Sequence, residues 1–259
     1  MSKIKKIKRI FFWSAITAAL YVSSTDISTE YLYRHKDSEI EQYVQENLEQ
    51  VIQKQKEKIG INYPTERPKI VYTFPERYIG RGNIGLYNDQ QDTIYLPSGL
   101  LTHPKWDFSD LIAVITTLNH TANVKRVLDH ELTHFYCDKL KERVLGRYYL
   151  LAQNHLLFSE EELLADKLIN EGIAEYVENS MNGEDKKKFN FQEWPLEIEQ
   201  FTNDTIYRGG YALIKPIIDQ YKEKGIQFLL FNPPTEKELL APQEYQKRTL
   251  KDLAKLYPI

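Results

Sequence analysis

The chain has 259 residues, of which 42% are hydrophobic and 27% are charged, and it contains no repeat or low-complexity block. This composition is ordinary for a folded globular protein. The formal charge of −3 gives no reason to expect a nucleic-acid partner. The single cysteine, Cys137, excludes an internal disulfide, and we expect it to be a small buried side chain rather than a nucleophile or ligand.

Residues 1–24 have the three-part pattern of a secretory signal. Five basic residues lie within the first nine, and Ile10–Val22 is an uncharged run of 13 residues. That run is shorter than the roughly 20 apolar residues of a membrane-spanning helix. We therefore expect a secreted or extracytoplasmic protein, in which residues 10–22 anchor the chain to the membrane if the signal is not cleaved. A basic amphipathic helix on a cytoplasmic membrane face is the alternative interpretation.

Residues 25–259 are predicted to form a single domain whose first part, residues 25–120, contains a helix and a small sheet. Apolar residues recur at helical spacing over residues 38–59, and Gly60 ends that helix. Stretches rich in β-branched and aromatic residues, separated by turn residues, then predict three strands: Lys69–Phe74, Asn83–Tyr87 and Thr93–Leu96. The last two strands are predicted to pair as a hairpin, and a second helix is predicted over Asp107–Thr117.

The predicted strand Asn83–Tyr87 is a candidate edge of this sheet. An exposed edge strand can hold an extended peptide by main-chain hydrogen bonds, and Gly85 lets a substrate backbone approach closely. Asn83, Gly85 and Tyr87 are therefore the predicted substrate-binding residues. A covered hairpin with no ligand is the alternative interpretation.

The second part, residues 121–259, contains the motif H-E-L-T-H within a predicted helix over Val124–Leu140. Residues four apart share one face of a helix, so His130 and His134 can bind one metal ion together. Glu131 lies at the edge of that face, where it can reach a water molecule on the metal. A buried stripe on the opposite face would pack the helix on a core: Val124, Leu128, Leu132 and Phe135.

A catalytic zinc site with two histidines needs a third protein ligand and one open position. Downstream, Ser159 and Glu162 form a predicted capping box that opens a helix containing Asn170–Glu178. A glycine inside a helix costs about 1 kcal/mol relative to alanine, so Gly172 indicates that another backbone or the metal helix passes close by. The candidates for the third ligand are Glu171, His155, Glu162 and Asp166.

H-E-L-T-H followed by N-E-G-I-A-E-Y-V-E resembles the gluzincin metallopeptidases, the group that includes thermolysin and the zinc aminopeptidases. The resemblance implies an α+β, zincin-like fold, with a small twisted sheet in the upper half, the HExxH helix, and a mostly helical lower half. It also implies a single Zn²⁺ ion held by His130, His134 and Glu171. Glu175, one helical turn after Glu171, would hydrogen-bond a ligand histidine and orient it.

A third stretch, Thr205–Ile214, resembles the part of the aminopeptidases in which a tyrosine precedes a glycine and opens a helix. By that resemblance Tyr207 stabilises the oxyanion of the transition state, with Tyr211 as the second candidate. The chain departs from the aminopeptidases in two ways, since 36 residues separate His134 from Glu171 and the exopeptidase motif G-[AG]-M-E-N is absent. An endopeptidase is therefore favoured over an aminopeptidase.

The sequence predicts a zinc metallopeptidase that hydrolyses peptide bonds in a peptide or protein substrate, with Glu131 as general base. Two alternatives stay open. One is a secreted binding protein that keeps the zincin fold without turnover, and the other is a zinc hydrolase of a non-peptide amide or ester.

Overall fold

A computed structural model describes residues 42, 44–73, 86–97, 121–146, 158–183 and 189–258. The predicted signal segment, the helix predicted over Asp107–Thr117, and the residues Asn83, Gly85 and His155 lie outside the described residues. In the part of the chain that is described, no helix is both long enough and apolar enough to cross a membrane.

The first described helix, α1 (residues 44–59), follows the predicted apolar stripe. Val44, Val51 and Ile52 are buried on one face. Gly60 has φ +88°, a left-handed conformation that glycine adopts without strain, and its N–H donates to the carbonyl of Lys56. The predicted helix end at Gly60 is therefore confirmed.

A small mixed sheet follows, made of β1 (Lys69–Thr73), β2 (Leu86–Asn88) and β3 (Thr93–Pro97). The strand order is β1-β3-β2, with β3 parallel to β1 and antiparallel to β2. β2 and β3 form the predicted hairpin around the 3₁₀ turn Asp89–Gln91, after which Asp92 has φ 48°. Among the described strands, β2 lies at an edge of the sheet, and it shares Leu86 and Tyr87 with the predicted strand Asn83–Tyr87.

The rest of the described chain is helical. Its helices are α2 (Thr121–Leu145), α3 (Glu160–Asn182), α4 (Gly210–Tyr221), α5 (Glu223–Phe231), α6 (Glu236–Leu239) and α7 (Pro242–Leu256). Two 3₁₀ turns (Phe191–Glu193 and Ile198–Gln200) and a π-helical turn (Thr205–Gly209) lie between α3 and α4. The predicted capping box is present at the start of α3, where Ser159 and Glu162 each accept a hydrogen bond from the other's backbone.

Helix α2 is longer than the predicted Val124–Leu140 at both ends, since it runs from Thr121 to Leu145. Lys141, the first residue after the predicted end, is only 1% exposed, and its Nζ lies 2.6 Å from Asp166 Oδ1 on α3. This ion pair, of which only the lysine is buried, holds the extra helical turn against α3. The helix ends before Gly146, whose φ is +81°.

Helix α2 lies between two hydrophobic cores. On one side Leu128 and Leu132 pack with α1 and with Ile94 and Leu96 of β3. On the other side Tyr136 and Cys137 pack with the helices that follow. The protein is thus a mostly helical α+β structure with a small three-stranded mixed sheet before the helices, which confirms the predicted class at this level. Because α2 packs against both cores, its histidine face is held between the sheet and α3.

Candidate metal centre

The two histidines of α2 lie side by side. The ring centroids of His130 and His134 are 4.9 Å apart, with the ring planes inclined by 74°. Leu128, Leu132 and Phe135, the described residues of the predicted stripe, are fully buried on other faces of the helix. Burial of that stripe fixes the rotation of α2 and so turns both imidazoles toward α3.

Helix α3 brings the Glu171 carboxylate to both rings. Glu171 Oε2 lies 3.3 Å from Nε2 of His130 and 3.4 Å from Nε2 of His134. Ligand atoms from the three side chains all lie within 4.8 Å of one another. The structure therefore brings together the three residues that the resemblance implied as metal ligands. The atoms that meet are Nε2 of each histidine and Oε2 of Glu171.

The spacing of these atoms is compatible with a shared metal ion. N–H···O hydrogen bonds have donor–acceptor distances of about 2.7–3.2 Å, most often about 2.9–3.0 Å. Two ligand atoms at about 2.0–2.1 Å from one zinc ion, at the tetrahedral angle, lie about 3.3 Å apart. The distances from Glu171 Oε2 to the two histidines, 3.3 Å and 3.4 Å, are long for hydrogen bonds and close to the separation of two zinc ligands.

The charges of these three groups are coupled. Burial alone would raise the pKa of Glu171, but the two histidines outweigh it and hold that pKa well below its usual range. Burial alone would lower the pKa of His130, but hydrogen bonds to the carboxylates of Glu171 and Glu178 raise it to about 10. The two carboxylates thus favour a proton on the His130 ring, and a metal ion bound at Nε2 would replace that proton.

A close crossing of helices fixes the position of Glu171. A Cβ atom on Gly172 would lie 2.8 Å from the carbonyl carbon of Gly210, and one on Gly210 would lie 2.7 Å from the Leu168 carbonyl oxygen. α3 and the start of α4 can approach so closely because both positions are glycine. The expectation that a backbone passes close to Gly172 is confirmed, and the backbone belongs to α4 rather than to the metal helix.

Glu131 is enclosed between α2 and the sheet. Only 7% of its surface is exposed, and the backbone of Tyr87 in β2 donates a hydrogen bond to it. Burial raises the pKa of Glu131 above its usual value, although the positive charge of the two histidines partly opposes this shift. A carboxylate with a raised pKa accepts a proton more readily, which is the property that a general base needs.

Tyr207 lies over the first histidine. It belongs to the π-helical turn Thr205–Gly209, and its ring is stacked on His130 with centroids 6.2 Å apart and planes inclined by 29°. Burial raises the pKa of Tyr207, and the neighbouring carboxylates of Glu171 and Glu131 raise it further. The phenol therefore keeps its proton and can donate a hydrogen bond. The second candidate, Tyr211, instead lies buried in the helical core beside Tyr176.

The carboxylate hydrogen-bonded to His130 Nδ1 belongs to Glu178, whose Oε2 lies 3.2 Å from that nitrogen. The sequence analysis proposed Glu175 for this contact and missed Glu178. Glu175 lies nearby, within 4.8 Å of both groups, and accepts a hydrogen bond from Asn179. The helical pattern offered a signal, because Glu171, Glu175 and Glu178 are at positions i, i+4 and i+7 of one face.

Two alternative candidates for the third ligand have other partners. Asp166 Oδ1 pairs with Lys141, and Asp166 Oδ2 accepts a hydrogen bond from Asn170. Glu162 caps the start of α3. Among the described candidates, Glu171 is thus the carboxylate that faces both histidines.

The predicted substrate strand is described only in part. Tyr87 lies in β2 with its ring edge-on to Phe135, at a centroid distance of 6.0 Å, and its hydroxyl donates to Asp92 Oδ1 at 3.0 Å. The Tyr87 side chain is therefore engaged within the fold, while its backbone faces Glu131.

Comparison with known proteins adds no relative. No family model matches the chain, and neither a curated protein nor a solved structure is significantly similar to it.

Proposed function

We propose that the protein is a zinc-dependent metallopeptidase with a zincin-like fold. The observation that carries the proposal is the convergence of three donor atoms from two separate helices: Nε2 of His130, Nε2 of His134 and Oε2 of Glu171. Glu131 and Tyr207 lie at the same place, and a metal site without catalytic activity would need neither.

The donor set favours zinc among the divalent metals. Two neutral imidazole nitrogens and one carboxylate oxygen are a ligand set of catalytic zinc sites, whereas magnesium and calcium prefer oxygen ligands alone. Zinc supplies a Lewis acid that polarises a carbonyl group and lowers the pKa of water toward 7. Its ligands in this chain would be His130, His134 and Glu171.

Glu131 has the role of general base and acid. Its raised pKa lets it take a proton from the attacking water and return that proton to the leaving amine. The hydrogen bond from the Tyr87 backbone holds its carboxylate in place during both transfers.

Tyr207 has the role of hydrogen-bond donor to the oxygen of the scissile carbonyl. A phenol that stays protonated can stabilise the negative charge that develops on this oxygen without adding a positive charge. Its position over His130, on a turn held between α3 and α4, suits a fixed donor.

The edge strand β2 supports a peptide as the substrate. It is an edge among the described strands, and its Tyr87 backbone touches the proposed general base. An extended peptide paired with this edge would place its main chain beside Glu131. We propose in addition that the protein acts outside the cytoplasm, on the basis of the signal-like residues 1–24.

The proposal is tested by combining zinc analysis with an assay of peptide cleavage. The purified protein is analysed for metal by elemental analysis and incubated with a mixed peptide library, with and without a chelator. We expect about one zinc ion per chain and internal cleavage of peptides that stops on chelation and returns with zinc. The His134→Ala variant should lose both zinc and cleavage.

The other outcomes separate the alternatives. Zinc binding without cleavage of peptides, esters or amides would favour a non-catalytic binding protein. Zinc-dependent cleavage of esters or non-peptide amides alone would favour the hydrolase of another substrate class. Failure of the wild-type protein to bind zinc would refute the proposed metal site itself.

A further inference from the structure

The carboxylate of Glu178 uses its two oxygens for two different partners. Oε2 lies 3.2 Å from His130 Nδ1, while Oε1 accepts hydrogen bonds from Nε and Nη2 of Arg126 at 2.9 Å and 2.7 Å. Glu178 is 9% exposed, so water has little access to this contact. Arg126 lies one helical turn before His130 on α2, and Glu178 reaches both from α3.

This arrangement selects the form of the His130 ring. A histidine that binds a metal ion has given up one of its two ring protons, so one nitrogen keeps a proton and the other binds the metal through its lone pair. An ionised carboxylate can only accept a hydrogen bond, so Glu178 places the proton of His130 on Nδ1. The lone pair is then on Nε2, the nitrogen that faces Glu171 and His134.

Arg126 holds the Glu178 carboxylate in the orientation that this contact needs. The Arg126 guanidinium gives two hydrogen bonds to Oε1, at 2.9 Å and 2.7 Å, and these leave Oε2 aimed at His130 Nδ1. Without Arg126 the carboxylate would be free to rotate away from the ring, and the direction of the His130 Nε2 lone pair would no longer be fixed.

We propose that Arg126 and Glu178 are positioning residues that orient His130 and direct the lone pair of its Nε2 toward the metal. This inference rests on the proposed zinc site but assigns a task to two residues that lie outside the ligand set. Neither residue needs to touch the substrate.

The test measures the zinc dissociation constant by competition with a coloured chelator at one fixed pH. Glu178→Gln should weaken zinc binding about 10- to 100-fold, the usual effect of removing a group that orients a metal ligand. Arg126→Gln should weaken zinc binding about 10-fold. Arg126→Lys keeps the charge but loses the pair of hydrogen bonds from one planar group, so its zinc dissociation constant should lie between those of Arg126→Gln and wild type.

Lys125→Gln is the matched control for Arg126→Gln. It removes the same charge from the neighbouring position of α2, where Lys125 Nζ lies 3.3 Å from Asn182 Oδ1 rather than against Glu178. The zinc dissociation constant of Lys125→Gln should stay within about twofold of the wild-type value, a much smaller change than the roughly tenfold weakening expected for Arg126→Gln. Equal weakening in the Lys125 and Arg126 variants would show a general charge effect and overturn the proposal.

A spectroscopic measurement reports the ring directly. In the zinc-loaded wild-type protein, long-range proton–nitrogen NMR correlations should place the proton of His130 on Nδ1, and the Arg126→Gln variant should show a weakened or altered signal. Arg126 is partly exposed, so its variants should fold even if Glu178→Gln does not, and the melting temperature of each metal-free variant checks this.

The proposed zinc site and this inference fail in different ways. If wild type binds no zinc, or if His134→Ala binds it equally well, the zinc site is wrong. If wild type binds zinc through that site while Arg126→Gln and Glu178→Gln bind it within about twofold of wild type, only the positioning role is wrong.

Discussion

At the scale of single residues, Glu131 has lost most of its contact with water but lies beside two imidazoles and a backbone donor. Burial raises the pKa of its carboxyl group, while the hydrogen bond from Tyr87 holds the carboxylate in one place. A group with these two properties is suited to carry a proton within one catalytic cycle.

We predict that Glu131→Gln keeps zinc and loses hydrolysis. The amide has nearly the shape of the carboxylate but cannot accept the proton of water, so kcat should fall by at least about 10²-fold. Peptide cleavage and zinc content are measured on the same sample. Glu244→Gln, at an exposed position of α7, is the control and should cleave like wild type. Normal turnover by Glu131→Gln would refute the base assignment.

Tyr207→Phe should lower kcat about 10- to 100-fold with a small change in KM, because a hydrogen bond made mainly in the transition state is lost. Zinc binding should not change, since the phenol is not among the proposed ligands. Steady-state kinetics on one peptide measures both parameters. Tyr211→Phe is the comparison, and it should keep kcat because Tyr211 lies in the helical core. If Tyr211→Phe lowered kcat and Tyr207→Phe did not, Tyr211 would be the hydrogen-bond donor to the oxyanion instead.

At the scale of secondary-structure elements, the site depends on how α3 crosses α4. Gly172 follows Glu171 directly, and Gly210 begins the helix that follows the Tyr207 turn. The contact between these two glycines therefore sets the positions of a proposed ligand and of the proposed oxyanion donor at once. The π-helical turn before Gly210 adds one residue to a helical turn, a distortion that often occurs at functional sites.

Gly172→Ala should destabilise the protein although alanine is the better helix former. The new Cβ would lie 2.8 Å from the Gly210 backbone, so the helices must separate. Overpacking of this kind costs about 1–3 kcal/mol, and each kcal/mol lowers the melting temperature by about 2–4 °C in a domain of this size. Zinc affinity should fall as well, because Glu171 moves with its helix. Lys167→Ala, at an exposed position of α3, is the control and should change neither property. An unchanged or raised melting temperature in Gly172→Ala would contradict this packing argument.

At the scale of the whole molecule, the helices that carry the site are held by two hydrophobic cores rather than by the metal. α2 packs on the sheet and α1 through one core and on α3 and the later helices through the other. Buried polar contacts support the same packing, since Gln55 of α1 donates to Asp129 of α2 and Lys141 of α2 pairs with Asp166 of α3. We therefore expect the protein to be folded without zinc.

Zinc should nevertheless stabilise the fold, because it binds the folded chain at a site that the unfolded chain lacks. At a free zinc concentration 100 times the dissociation constant, the stabilisation is about 2.7 kcal/mol. This corresponds to a rise of about 5–10 °C in melting temperature. Thermal unfolding with added zinc and with chelator measures the shift, and His134→Ala should show almost none. An equal rise in His134→Ala would mean that zinc binds elsewhere.

Much of the local structure could be predicted from the sequence. The helical spacing of His130 and His134, the capping box of Ser159 and Glu162, and the hairpin of β2 and β3 all depend on residues close together in the chain. Such features follow from backbone geometry and from hydrogen bonds within a few residues. For the same reason the end of α1 at Gly60 was predictable, whereas the end of α2 was not, because an ion pair with a distant helix extends it.

The sequence by itself thus determined the residue types of the proposed centre, the helix that presents both histidines, and the chemical class of ion they suit. The resemblance favoured Glu171 over Asp166 and Tyr207 over Tyr211, but only the tertiary structure showed which member of each pair reaches the site: Glu171 near the two rings, Tyr207 over the ring of His130, and Glu178 rather than Glu175 at His130 Nδ1. In each pair the two residues lie on the same helix or on adjoining turns, so residue type and spacing cannot separate them. Which residue of each pair faces the site depends on how α3 and α4 are rotated where they cross at Gly172 and Gly210. That rotation is set by contacts between parts of the chain about 40 residues apart.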